Sequence, residues 1–104
     1  MSVAILHTVN RSAYHDDTLC SCLRVALPGC AVLLLEDGVY AARAAGRRAH
    51  LIGDATQQIR FYALDADLQA RGIAQTELLE RIGVVDYRGF VGLACEFDKV
   101  LAWF

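Results

Sequence analysis

Four cysteines are the residues of this chain best suited to nucleophilic chemistry, and two of them lie close together. Cys20 and Cys22 form a Cys-Ser-Cys motif, whereas Cys30 and Cys95 stand apart in the sequence. Residues i and i+2 of a helix point away from each other, so Cys20 and Cys22 cannot form a disulfide without local unwinding. The motif therefore differs from the Cys-x-x-Cys of thioredoxin-like redox proteins.

The helix predicted around these two cysteines gives them different surroundings. It begins at Asp16 or Asp17, which are good N-cap residues, and ends at the Pro-Gly pair at positions 28 and 29. The helical period places Cys22 near the apolar stripe and Cys20 on the opposite shoulder, nearer to solvent. The stripe is formed by Leu19, Leu23, Ala26 and Leu27. Both cysteines lie in the first turns, where the positive end of the helix dipole favours a thiolate, and this predicts reactivity for at least one of them.

A cysteine in a helix or strand is also a common small core residue, and this alternative applies to all four. Cys30 opens an apolar run and Cys95 is predicted on the apolar side of the last helix, so we interpret both as structural. If the helix start activates Cys22, its thiol should be alkylated at neutral pH well before those of Cys30 and Cys95.

Metal-dependent and phosphatase-like chemistry are disfavoured by the residue spacing. A zinc site built from His15, Cys20, Cys22 and Cys30 lacks the usual paired Cys-x-x-Cys spacing, and a helix would splay its ligands. Residues 23–26 continue the helix after Cys22, so no anion-cradling loop follows this thiol. We therefore expect no metal and no cofactor.

A polar segment, His7-Thr8-Val9-Asn10-Arg11-Ser12, ends the first predicted strand. It belongs to the edge of the sheet at which α/β proteins place ligands. A histidine inside a strand is more often a hydrogen-bonded core residue than a catalytic base, and we interpret His7 in that way. An independent domain that binds a small ligand, through this segment and the turn at Asp37, is the alternative function.

Five short apolar runs predict the strands, because most are continuous, as in strands covered on both faces. The segments between them have helical spacing, which indicates βαβ units, right-handed crossovers and a parallel sheet. The runs are 3–9, 31–35, 59–64, 84–87 and 100–104. The predicted fold class is α/β: one domain over residues 1–104, in three layers, with a mainly parallel five-stranded sheet and helices on both faces.

Four further helical segments are predicted along the chain. They are an Ala-rich helix at 39–45, a turn from Asp65 or Asp67 to Arg71-Gly72, a turn at 76–81, and a last helix at about 87–97. The last helix is expected to bury Phe90, Val91, Ala94 and Phe97.

The composition predicts an exposed apolar surface. Of the 104 residues 56% are hydrophobic and the mean hydropathy is +0.34, which is more apolar side chain than one small domain hides. Such patches usually mark partner surfaces, so we expect the isolated chain to associate. A structural homo-oligomer is a further alternative. The terminal Trp103 and Phe104 are expected to be packed, either within the subunit or against another one.

Charge and targeting features point to a protein of the cytosol. The net charge of −2 gives no bulk attraction to nucleic acid or membranes, and the basic cluster of Arg43, Arg47 and Arg48 is expected to be solvated. No signal peptide and no membrane-length apolar run are recognised. We therefore expect a cytoplasmic location, where the thiols stay reduced.

Nearly the whole chain, from Ile5 to Phe104, resembles the DsrH/TusB family. The resemblance rests on segments 5–12, 33–42, 62–64, 67–72, 84–87, 89–91 and 102–103, in this order and spacing. Members of the DsrH branch carry a cysteine in a Ser-Cys-Leu-Lys/Arg context, which is Ser21-Cys22-Leu23-Arg24 here. The resemblance therefore implies the DsrH branch, with Cys22 as a possible sulfur-carrying thiol and Cys20 as the second candidate.

The resemblance also implies partners and a pathway. Such chains are subunits of heterohexameric DsrEFH or TusBCD complexes, with DsrE/TusD-like and DsrF/TusC-like subunits and a DsrC/TusE-like sulfur carrier protein. These complexes pass persulfide sulfur in intracellular sulfur oxidation or in 2-thiolation of the tRNA wobble uridine. Their principal sulfur-carrying cysteine lies on the DsrE/TusD-type partner, so the expected role of this chain is accessory rather than catalytic, without direct nucleic-acid binding.

Overall fold

Five parallel strands form the central sheet of the protein. The structure is a computed structural model that describes residues 4–12, 17–45, 49–56 and 58–104. The strands are β1 (Ile5–Val9), β2 (Ala31–Leu34), β3 (Arg60–Leu64), β4 (Ile82–Val85) and β5 (Lys99–Trp103). Their order in the sheet is β4-β3-β2-β1-β5, and each neighbouring pair is parallel. The predicted α/β fold with a parallel sheet is confirmed.

Helices lie on both faces of this sheet. They are α1 (Thr18–Val25), α2 (Ala49–Ala55), α3 (Asp65–Ala70) and α4 (Tyr87–Glu96), with 3₁₀-helices at Glu36–Ala42 and Gln75–Glu77. From β1 to β4 each strand is added on the same side of the previous one, so right-handed crossovers place α1, α2 and α3 on one face. The connection from β4 to β5 returns across the whole sheet, and α4 therefore lies on the opposite face.

Two apolar clusters, one on each face, hold these layers together. On the α4 side, Leu6, Ala31 and Leu33 pack with Leu93 and Phe97. The larger cluster joins the other strand face to α1, α2 and α3. It includes Val9, Leu19, Cys22, Val32, Leu34, Ile52, Phe61 and Leu68. All four residues of β2 are fully buried, which explains why its sequence is a continuous apolar run rather than an alternating one.

The segment after β2 differs from its prediction. A 3₁₀-helix at 36–42 replaces the α-helix expected at 39–45, because the chain turns sharply over the end of β1. Leu35 N donates to the Val9 carbonyl over 2.9 Å, and Gly38 N donates to Leu35 O over 2.7 Å. A Cβ on Gly38 would collide with the same Val9 carbonyl oxygen. Glu36 adopts a φ of +47°, the left-handed region that suits a tight turn.

The buried face of α4 is another correction. Leu93 and Phe97 are buried and Phe90 and Ala94 pack beside them, whereas Val91 is 62% exposed. The buried positions 90, 93, 94 and 97 follow the i, i+3, i+4, i+7 spacing of a helix face, and Val91 lies outside it. The prediction for Val91 was therefore wrong.

A missed helix and two shifted element boundaries also differ from prediction. Helix α2 was not predicted, and β4 begins at Ile82 rather than at residue 84. Helix α1 ends at Val25, so Leu27 lies beyond it and is 55% exposed. The turn expected at 76–81 is a 3₁₀-helix at Gln75–Glu77.

Candidate functional site

His7 is the middle residue of β1 and is almost completely buried, with 2% exposure. Trp103 Nε1 donates a hydrogen bond to His7 Nδ1 over 3.0 Å. Because Nδ1 accepts, we assign the proton of the neutral ring to Nε2, which has no hydrogen-bond partner among the described residues. Burial lowers the pKa of His7, so the ring is neutral at pH 7. These features agree with the core interpretation of His7, whose bond fixes the side chain of Trp103.

The carboxyl ends of β1 and β5 are neighbours at one edge of the sheet. Open α/β sheets bind ligands in crevices outside the carboxyl ends of their strands. Asn10 follows β1 there, and its buried Oδ1 has no partner among the described residues. The turn at 35–38 packs against the end of β1, however, since the Val9 carbonyl accepts from Leu35. The turn therefore covers the β2 side of this edge.

The acidic turn after β2 is tied to α3 rather than open to a ligand. Arg71 lies 3.0 Å from the Asp37 carboxylate and 3.6 Å from that of Asp67. Asp67 Oδ2 also accepts from the backbone N–H of Glu36 over 2.8 Å. The carboxylate of Asp37 thus already has a cation beside it, which weakens the alternative in which this turn binds a small ligand.

Cys22 is fully buried in the core between α1 and the sheet. Burial, with a smaller contribution from nearby Cys30, raises the pKa of its thiol to about 12. Loss of hydration thus outweighs the effect of the helix start, which was expected to favour the thiolate. The expected order of alkylation, with Cys22 first, does not follow from this geometry.

Cys20 is partly exposed on the other side of α1, as the helical period predicted. It lines a groove of about 480 Å³ between α1 and α2, together with Leu23, Arg24, Asp54 and Ala55. Residues four apart are neighbours on a helix surface, so Arg24 lies one turn from Cys20 on the same face. This groove could not be predicted because α2 itself was not.

The remaining cysteines divide between core and surface. Cys30 is buried, as expected for a structural residue, but Cys95 is exposed and the prediction that it lies on the apolar side of α4 was wrong. Cys95 follows Val91 by one turn and shares its outward direction.

Two clusters named in the sequence analysis, the disfavoured zinc site and the basic cluster, fall partly on residues that are not described. His15, the histidine of the zinc alternative, lies outside the described residues, and within them no group of three or more His, Cys, Asp or Glu side chains could hold a metal. Arg47 and Arg48 also lie outside them, while Arg43 packs over the Tyr40 ring at 5.6 Å from its centre. Among the described helices none has the length and apolar character to cross a membrane.

A polar cavity of about 400 Å³ at the ends of β3 and β4 was missed by the sequence reasoning. Asp65 and Asp86 line it, and both carboxylates are engaged locally. Asp86 accepts from Gly89 N over 2.7 Å as the N-cap of α4, and Asp65 accepts from Gln69 over 2.7 Å. An aspartate directly after each strand was the available signal.

Exposed apolar side chains concentrate around the edge strand β5 and on α4. Val100 and Leu101 are 47% and 45% exposed although they alternate to opposite faces of β5, so this edge is uncovered on both sides. Phe104 is 79% exposed, and Tyr87 and Val91 add apolar surface on α4. Trp103 is partly buried against the core, so it packs within the subunit, whereas Phe104 does not. The alternative for Phe104, packing against another subunit, stays a prediction.

Comparisons with known proteins agree with this fold and with the earlier resemblance. Residues 11–100 match the family model described as DsrH like protein. The chain is 39% identical to protein TusB of Klebsiella pneumoniae (strain 342) and 37% identical to protein TusB of Pectobacterium parmentieri. Each alignment spans 99 residues, 95% of this chain and the whole length of the relative.

Solved structures share the same architecture at lower sequence identity. The ychN protein from E. coli superposes with a TM-score of 0.84 at 18% identity, over 97% of this chain and 99% of that one. A protein of unknown function from Methanobacterium thermoautotrophicum gives 0.76 at 15% identity, over 96% and 99%. These two similarities support the fold alone. On the family match and the full-length identity to TusB proteins, the chain belongs to the DsrH/TusB family.

Proposed function

We propose that this chain is a subunit of a cytoplasmic sulfur-relay complex of the DsrEFH/TusBCD type. The observation that carries the proposal is full-length similarity, at 37–39% identity, to proteins named TusB. The complex would be a heterohexamer with DsrE/TusD-like and DsrF/TusC-like subunits, and a DsrC/TusE-like carrier would exchange sulfur with it. The sulfur would serve 2-thiolation of the tRNA wobble uridine, or intracellular sulfur oxidation.

The surface around β5 is the proposed partner contact. An edge strand presents unpaired backbone N–H and C=O groups, and here Val100 and Leu101 add apolar side chains on both faces. A partner subunit that covers this edge would bury the apolar side chains and also form hydrogen bonds with the unpaired backbone groups. The apolar composition of the chain supports the same contact.

Within the complex we propose an accessory role for this chain. Persulfide transfer requires an accessible thiolate. Cys22 is fully buried and the pKa of its thiol is raised to about 12, so only a small fraction is ionised at neutral pH. These properties favour a subunit with a structural role in the complex over one in which Cys22 is the main sulfur carrier.

Assembly tests the first part of the proposal. The chain is co-expressed with its two partner subunits, and native mass spectrometry measures the complex. Leu101→Asp should weaken assembly by at least about tenfold, because a desolvated carboxylate would replace apolar contact area. Ala70→Asp, on the exposed side of α3, is the matched control and should assemble normally. A pure chain that forms a defined homo-oligomer and binds neither partner would instead favour the structural alternative.

Sulfur transfer tests the accessory role. Cys22→Ser in an assembled complex should reduce the transfer of labelled sulfur to the carrier only modestly. Loss of transfer in a complex that remains intact would show that Cys22 is catalytic and would contradict the assignment.

A further inference from the structure

The backbone groups of strand β5 point alternately towards β1 and away from it. Lys99 N donates to the Ala4 carbonyl over 3.4 Å, so the N–H and C=O of Lys99 face β1. Successive residues of a strand direct these groups to opposite sides, so the N–H and C=O groups of Val100 and Ala102 point away from β1. In the described sheet β5 has no neighbouring strand on that side.

The two edges of the sheet differ in how far their side chains are covered. At the β4 edge Ile82 is buried and residues 83–85 are partly buried. At the β5 edge residues 99–102 are all exposed. Neighbouring side chains of a strand lie on opposite faces, so the exposed Val100 and Leu101 show that both faces of β5 are open.

The β5 edge also lacks most features that keep an edge strand from pairing. Free edges are commonly protected by bulges, prolines or charged side chains. The pairing of β5 with β1 is continuous from residue 99 to residue 103, and this segment contains no proline. Its one charged side chain is Lys99, which forms no ion pair with another described residue.

We propose that one partner subunit adds an extended segment to β5 as a sixth strand of this sheet. The inference rests on the proposed function and specifies what occupies the contact at β5. A helix packed on one face of β5 would leave the other face and the outward backbone groups exposed. A strand in the plane of the sheet pairs with the N–H and C=O groups of Val100 and Ala102, and its own alternating side chains lie beside both faces.

The properties of β5 define the chemistry of the added segment. It matches the five residues of β5, is apolar at most positions, and carries one carboxylate beside Lys99, because opposite charges on adjacent strands attract. A second copy of β5 fits less well, since residues 99–103 contain no carboxylate that could pair with this lysine. Charge complementarity therefore favours a segment of a different chain.

Hydrogen–deuterium exchange tests the pairing directly. The full chain is measured alone and in the complex co-expressed with its two partner subunits, with fragmentation that resolves single amides. The amides of Val100 and Ala102 should exchange at least about tenfold more slowly in the complex. The amide of Leu101 faces β1 and is the internal control, which should change less. Unchanged exchange at Val100 and Ala102 in an assembled complex would overturn the inference.

A proline at the outward position tests the same pairing by mutation. Ala102→Pro removes an N–H that points away from β1, and edge strands tolerate proline in this orientation. The isolated variant should therefore unfold at nearly the same urea concentration as the wild type. Its assembly with the partners should weaken at least about tenfold in native mass spectrometry, because the added strand loses a hydrogen bond and meets the proline ring. Ala102→Ser keeps the N–H and should assemble normally.

The outcomes separate this inference from the proposed function. If Leu101→Asp weakens assembly but a folded Ala102→Pro does not, the partner contact at β5 stands and the addition of a strand is wrong. If Ala102→Pro does not fold, the exchange of the Val100 and Ala102 amides decides alone. Protection of these amides in a homodimer of the pure chain would identify a second copy as the occupant and overturn the inference. A wild-type chain that binds neither partner would contradict the proposed function itself.

Discussion

Alkaline pH should destabilise the protein through Cys22. The pKa of this buried thiol is about 12 in the folded chain, against an ordinary value of 9.0. A raised pKa means that folding favours the neutral thiol. The stability that the neutral Cys22 thiol contributes is therefore fully present below pH 9. It decreases as the pH rises towards 12, because the thiol of the unfolded chain loses its proton at a lower pH than that of the folded chain.

The size of the effect follows from the two pKa values. At pH 10 the unfolded thiol is roughly nine-tenths ionised and the folded thiol roughly one-hundredth ionised, so the free energy of unfolding falls by about 1 kcal/mol relative to neutral pH. Other side chains of the protein also respond to pH in this range. Their contribution is removed by comparing the wild-type chain with Cys22→Ala.

The assay is urea unfolding followed by far-ultraviolet circular dichroism at pH 7.5 and pH 10. The loss of stability between these pH values should be about 1 kcal/mol smaller in Cys22→Ala than in the wild type. Cys95→Ala removes an exposed thiol and should leave the wild-type pH dependence unchanged. Equal losses in the wild type and Cys22→Ala would refute the reasoning, because they would show that Cys22 ionises as readily in the folded chain as in the unfolded one.

Two further predictions concern the end of β1 and the middle of the same strand. Gly38→Ala should lower the free energy of unfolding by about 3 kcal/mol, since its Cβ would collide with the Val9 carbonyl, whereas Gly53→Ala, with open space around the added Cβ, should be neutral or slightly stabilising. Urea unfolding measures both. Because burial lowers the pKa of His7, the unfolded chain binds its proton first, so stability should fall as the pH drops below 6.5. His7→Phe should remove this acid sensitivity and lower the free energy of unfolding by about 1–3 kcal/mol, because Trp103 Nε1 loses its hydrogen-bond acceptor. The fluorescence emission of Trp103, the sole tryptophan, should shift as well, and unchanged emission would contradict the role of this bond.

The strands could be predicted because strands buried on both faces have continuous apolar sequences. The run Ala31–Leu34 is apolar at each position, and the structure buries each of those side chains. The parallel arrangement followed from helical spacing between such runs. The missed helix α2 is short and contains Gly53, which weakens the helical pattern that would have identified it.

The candidate site was only partly predictable, because it depends on distances between elements. The opposite directions of Cys20 and Cys22 followed from the helical period alone. The raised pKa of Cys22 depends on how completely the sheet and neighbouring helices exclude water, which spacing cannot measure. The turn at 36–42 is set by the contact of Gly38 with Val9, residues that are distant in the sequence, so local propensity favoured the wrong type of helix.

The position of β5 has a consequence for the order of folding during synthesis. β5 pairs with β1, and Ala4 N donates to the Asp98 carboxylate across a separation of 94 residues. One edge of β1 therefore stays without its partner until the ribosome has released residues 99–103, although β2 can already pair with the other edge. Contacts this far apart in sequence form slowly, and an open strand edge is prone to pair with other chains. During this interval the open edge of β1 can pair with strands of other chains and aggregate, and a chaperone bound to that edge would prevent this.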